Sequence, residues 1–109
     1  MAFIPPRHAT RVEVTEVTPD HLAVSGALTF DTARRAREAG LRLMGASQSR
    51  EPIEIDCADV KESDSAGLAV LIDWLAQATK AGRTIRYANL PPGIRAAAKI
   101  SDVETLLVG

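Results

Sequence analysis

Residues 53–82 constrain the fold more tightly than any other part of this 109-residue chain. Ile53-Glu54-Ile55-Asp56-Cys57 reads as a buried strand that continues into Ala58. An acidic loop follows, and then a helix over about Ser65–Ala81 that ends at Gly82, a residue suited to the position after a helix C-terminus. A further strand is expected at Arg83–Ala88. Strand, helix and strand in that order imply a parallel crossover.

The first turn of that helix is Asp64-Ser65-Ala66-Gly67. It sets a hydroxyl beside a carboxylate and two small residues, where another protein can reach it. Free N–H groups and the helix dipole favour negative charge at such a place, so a phosphate is also tolerated there. Ser65 has two readings: a plain first-turn or capping residue, or a contact and phospho-acceptor position.

The rest of the chain arranges itself around this unit. Met1–Thr10, with Pro5-Pro6, reads as a flexible arm, and residues 11–109 as one domain. Arg11–Thr18 and His21–Leu28 alternate like strands, and Pro19-Asp20 is the turn that pairs them as a hairpin. A helix is expected from Asp31 to Ala46, capped by Thr29 or Asp31. Its arginines (34, 35, 37 and 42) form either a solvated face with ion pairs or a patch for lipid or an acidic partner. After Pro91-Pro92 come a short helix, Ile94–Ile100, and a final turn through Leu107. The fold class is therefore α/β, in the order β-β-α-β-α-β-α-α, with a mixed four-stranded sheet: an antiparallel edge hairpin, then parallel strands.

On the central helix, Leu68, Leu71, Ile72, Leu75 and Thr79 form the stripe expected to pack on the sheet. Asp73, Gln77 and Lys80 form the polar face. Val70 and Trp74 belong to neither, so Trp74 is expected to be at least half exposed. An exposed tryptophan beside polar residues marks an interface, unless another helix covers it. The expected partner-binding residues are Asp64, Ser65, Ala66, Gly67, Val70, Asp73, Trp74 and Gln77.

No catalytic constellation accompanies them. His8 and His21 have no obvious orienting carboxylate, and there is no nucleophile-elbow, Walker A or dinucleotide-binding pattern. Asp56, Asp59, Glu62 and Asp64 gather around one loop, either as a solvated acidic cluster or as ligands for a divalent ion, but not at EF-hand spacing. One cysteine excludes an internal disulfide and a cysteine-based zinc site. Cys57 fits a small core residue better than a reactive thiol. No cofactor or metal is expected. A net charge of −1 and 4% aromatics argue against nucleic acid as a partner. The longest apolar run, Ala66–Ile72, is too short for direct membrane insertion, and the arm has no signal-peptide core, so a cytoplasmic location is expected.

Ile55-Asp56-Cys57-Ala58-Asp59-Val60 through Asp64-Ser65-Ala66-Gly67-Leu68 resembles the signature of the STAS domain family. That family includes anti-sigma factor antagonists and the small STAS subunit of the Mla phospholipid ABC transporter. Gly67–Asp73, Ala78–Gly82 and the Ala96-Ala97-Ala98-Lys99-Ile100 run are similar to the transporter subunit. The resemblance implies a STAS-type fold and a non-catalytic accessory role: binding the cytoplasmic ATPase subunit of such a transporter, at the inner membrane through that partner. Ser65 falls where the antagonists carry their phosphorylatable serine, so the alternative it implies is an antagonist switched by an anti-sigma factor kinase. Gly26-Ala27-Leu28-Thr29 departs from the Gly-Glu-Leu-Asp common in antagonists, which weakens that alternative.

Overall fold

The computed structural model describes residues 11–47 and 49–108, and the expected N-terminal arm, residues 1–10, lies outside them. Strands β1 (Val12–Thr18) and β2 (His21–Leu28) pair antiparallel about Pro19-Asp20, with Val14 opposite Val24. Strand β3 (Ile53–Ser63) runs parallel to β2, and β4 (Ile85–Ala88) parallel to β3, giving the sheet order β1-β2-β3-β4. Helix α1 (Ala33–Ala46) joins β2 to β3, and α2 (Ser65–Lys80) joins β3 to β4. Helices α3 (Pro92–Ile100) and α4 (Glu104–Val108) close the described chain. The element order and the mixed sheet are those expected from the sequence.

Period-two alternation builds the core. Leu22, Val24 and Leu28 of β2 and Ile53, Ile55 and Cys57 of β3 are buried toward the helices. Between them lie the more accessible His21, Ala23, Ser25 and Glu54. Leu68, Leu71 and Trp74 of α2 and Ala36 of α1 complete the apolar layer.

Two local expectations are corrected. Residues 59–63 are not a loop, because β3 continues past Ala58 to Ser63. Two register shifts against β2 absorb the polar stretch: Ala23 faces Asp56, yet Ser25 faces Asp59, so β3 carries an extra residue there. The Asp56 carboxylate stabilises the irregularity by accepting from Ala58 N at 2.9 Å and Asn89 Nδ2 at 3.0 Å. Those bonds, the one from Asn89 first, hold its carboxyl below the usual carboxylate range. The second correction is at α1, where Thr32, not Thr29 or Asp31, occupies the cap position, with no side-chain cap bond. Its buried hydroxyl donates instead to Ala27 O at 2.7 Å and accepts from Thr29 N at 3.0 Å. That closes the turn between β2 and α1.

Candidate functional site

The start of α2 is organised by one carboxylate. Asp64 sits in extended backbone at the cap, and its Oδ1 accepts from Ala66 N at 2.9 Å and Gly67 N at 3.2 Å. Its Oδ2 accepts from Phe30 N at 3.1 Å, across 34 residues of chain. One side chain thus caps α2 and fixes the turn between β2 and α1 against it. Both carboxylate oxygens are engaged, so the N–H groups of Ala66 and Gly67 are already satisfied by an anion. A phosphate on Ser65 would sit beside that carboxylate rather than on free N–H groups.

Ser65 is exposed and Ala66 half-buried. Gly67 is buried, and a Cβ there would lie 2.2 Å from Leu28 O, so its small size lets α2 approach the end of β2. Its role is packing, not display at the surface.

Phe30 was missed by the sequence analysis. It is 81% exposed, in the turn that Asp64 holds, and so shares one end of the molecule with Ser65. Its one local sign was an aromatic residue in Thr29-Phe30-Asp31-Thr32, a polar turn between β2 and α1; nothing local ties it to Asp64. A large apolar side chain in a turn fixed by two hydroxyl bonds and a carboxylate is displayed at low entropic cost.

The middle of α2 overturns the expectation for Trp74 and Val70. Trp74 is fully buried and Val70 4% exposed. Helix α1 lies over Trp74. A Cβ on Gly40 would lie 2.3 Å from Trp74 Cε2, so the missing side chain at Gly40 makes room for the indole. Trp74 Nε1 donates to Arg37 O at 3.2 Å, which satisfies its polar edge. Arg37 also pairs with Asp73, which occupies that carboxylate. The expected stripe was set too far around the helix: the buried face is Gly67, Leu68, Val70, Leu71, Trp74 and Ala78, and at Trp74 it meets a second helix, not solvent. In turn Ile72 and Leu75 are only half-buried and Thr79 is exposed. Gln77 is half-buried, toward the other end of the helix from Ser65.

The acidic residues do not converge. Strand geometry spreads Asp56, Asp59 and Glu62 along β3, and among the described residues no three His, Cys, Asp or Glu side chains gather to hold a metal ion. Cys57 is 1% exposed, and burial, with a smaller contribution from the Asp56 charge, pushes its thiol up to about 12. No helix among the described residues is long and apolar enough to cross a membrane.

Comparison with known proteins bears on this geometry. The sequence model of the STAS_2 family, described as "Mlab, STAS domain", matches residues 11–109. No curated protein matches the sequence. Among solved structures, the chain is similar to the anti-sigma factor antagonist SpoIIAA in its unphosphorylated form, with a TM-score of 0.69 and 13% identity over 90% of this chain and 86% of that one. It is also similar to part of SLC26A9, with a TM-score of 0.64 and 13% identity over 76% of this chain but only 16% of that one. At such identity both likenesses establish the fold alone.

Proposed function

We propose, for a chain that belongs to the MlaB-type STAS domain family, the role of a non-catalytic accessory subunit that binds the cytoplasmic ATPase of a phospholipid-trafficking ABC transporter. The observation that carries this reading is the end of the molecule where Phe30, exposed, stands with Ser65 on a frame held by Asp64. The contact surface consists of Phe30, Asp64, Ser65 and Ala66. Of the other residues expected from the sequence, Gly67, Val70 and Trp74 are buried, and Asp73 is engaged by Arg37. A rigid aromatic anchor surrounded by small and polar groups fits the anatomy of an interaction hot spot. On this reading the chain supports assembly or activity of the ATPase, hydrolyses nothing itself, and is held at the inner membrane by its partner.

The test is co-expression with the ATPase of the same transporter, followed by affinity capture and quantitative binding. Wild type should capture the ATPase, and Phe30→Ala and Ser65→Glu should lose it while melting like wild type.

The second reading, an anti-sigma factor antagonist, is favoured by one observation: the Ser65 hydroxyl is exposed and within reach of a kinase. Capture of a kinase in place of the ATPase, with phosphate appearing on Ser65, would establish it.

A further inference from the structure

Two cavities lie at the C-terminal ends of α1 and α2 and share Met44, Gly45, Ala81 and Arg83. One, of about 290 Å³, has an apolar wall of Leu41, Met44, Ile53, Ala78 and Ala81. The other, of about 480 Å³, is lined by Ser47, Ser49, Arg50 and Arg83. Together they make one cleft, apolar on one side and cationic on the other. It lies at the opposite end of α2 from Ser65. The length of a 16-residue helix, roughly 24 Å, separates it from the proposed contact surface.

Arg83 is the unusual member. Its side chain is only 11% exposed. One terminal nitrogen donates to Glu51 O at 2.9 Å, but Nε is buried with no hydrogen-bond partner among the described residues. Asp20 Oδ1 forms a loose ion pair with the guanidinium at 3.9 Å, beyond hydrogen-bond reach. The guanidinium is thus held in place beside the cleft as a fixed cation. Arg50, exposed at the same cavity, adds a second cation.

We infer that this cleft binds a single-chain amphiphile with an oxyanion head. The tail leaves water in the apolar cavity, and the head meets Arg83 and Arg50. A guanidinium is planar and presents a donor fork that matches phosphate or carboxylate oxygens. A mostly apolar wall with a few fixed polar groups is the usual composition of a small-molecule site. Nothing lies within 4 Å of a Cβ built on Gly45, so the shared rim is open there.

Calorimetric titration of the full chain with decyl phosphate, kept below its micellar concentration, tests the inference. Decanoate, decanol and inorganic phosphate are the comparison probes. Saturable binding of decyl phosphate or decanoate is expected, and the preferred one identifies the head. Decanol and inorganic phosphate should each bind weaker by about tenfold or more, since each lacks half of the recognition. Gly45→Phe should obstruct the rim and Arg50→Ala should remove a cation. Both positions are exposed, so both variants should melt like wild type while binding weaker. Absence of saturable binding, inorganic phosphate binding as tightly as decyl phosphate, or unchanged affinity in Gly45→Phe would overturn it.

Discussion

Helix α2 starts at an exposed Ser65 and carries a sealed tryptophan at its middle. At its start, Ser65 is exposed, Asp64 faces solvent with both oxygens in use, and Phe30 projects nearby from the preceding turn. At its middle, Val70 and Trp74 are buried, Trp74 under α1. The difference comes from α1. Gly40 of α1 leaves the room that the Trp74 indole fills, whereas at the start of α2 it is the turn before α1, not the helix, that stands alongside. A single small residue on one helix thus lets a large residue of its neighbour become core.

Truncation at the two regions should have opposite consequences, and the largest effect belongs to the buried one. Trp74→Ala removes a fully buried indole and a hydrogen bond, so it should destabilise by about 3–5 kcal/mol in denaturant unfolding. The free wild-type chain should emit blue-shifted fluorescence, because Trp74 is its only tryptophan. Emission near that of free indole would break the comparison.

Gly40→Leu attacks the same contact from the other side. Its side chain would have to displace the Trp74 ring, and overpacking of this kind costs about 1–3 kcal/mol. A variant as stable as wild type would mean that α1 does not press on α2 as described.

Asp64→Ala lies at the exposed region but removes a cap, so an intermediate loss of about 0.5–2 kcal/mol is expected. It should also speed amide exchange at Phe30, whose N–H it leaves free. Unchanged exchange at Phe30 would show that the turn is not held by Asp64.

The smallest effect is one of pH. Asp56 is held below the usual carboxylate range, by Asn89 first and then by the Ala58 N–H. A depressed folded-state value stabilises the fold above the unfolded value, near pH 4, and that contribution disappears as pH falls through the folded value. Asn89→Ala should therefore flatten the acid limb of the stability profile slightly. A steeper limb would contradict the sign.

The strands and helices were legible because their signals are local. Alternation in 12–28 and in 53–57 and the period of 65–80 each fix an element with little help from the rest of the chain. The continuation of β3 was not legible. Asp59, Lys61 and Glu62 look like a loop until Asp56 is seen to stabilise an irregular register against β2. Trp74 failed for a similar reason: a helical wheel gives directions around an axis but not what lies in each direction. At the site, a helix start at Asp64-Ser65 was legible, since its signals are local, although the capping side chain is Asp64 and not Ser65. Phe30 was not, because the bond that brings it to Asp64 joins residues 34 apart in sequence.

The central claim is the proposed one, that the side chains of Phe30 and Ser65 serve a partner and not the stability of the fold. The direct measurement pairs thermal unfolding with binding to the transporter's ATPase subunit for Phe30→Ala. Phe30 is 81% exposed, so its truncation should leave the midpoint nearly unchanged. It should weaken binding by about 2 kcal/mol or more, which is roughly thirtyfold. Full affinity in Phe30→Ala, with Ser65→Glu also binding like wild type, would contradict the account.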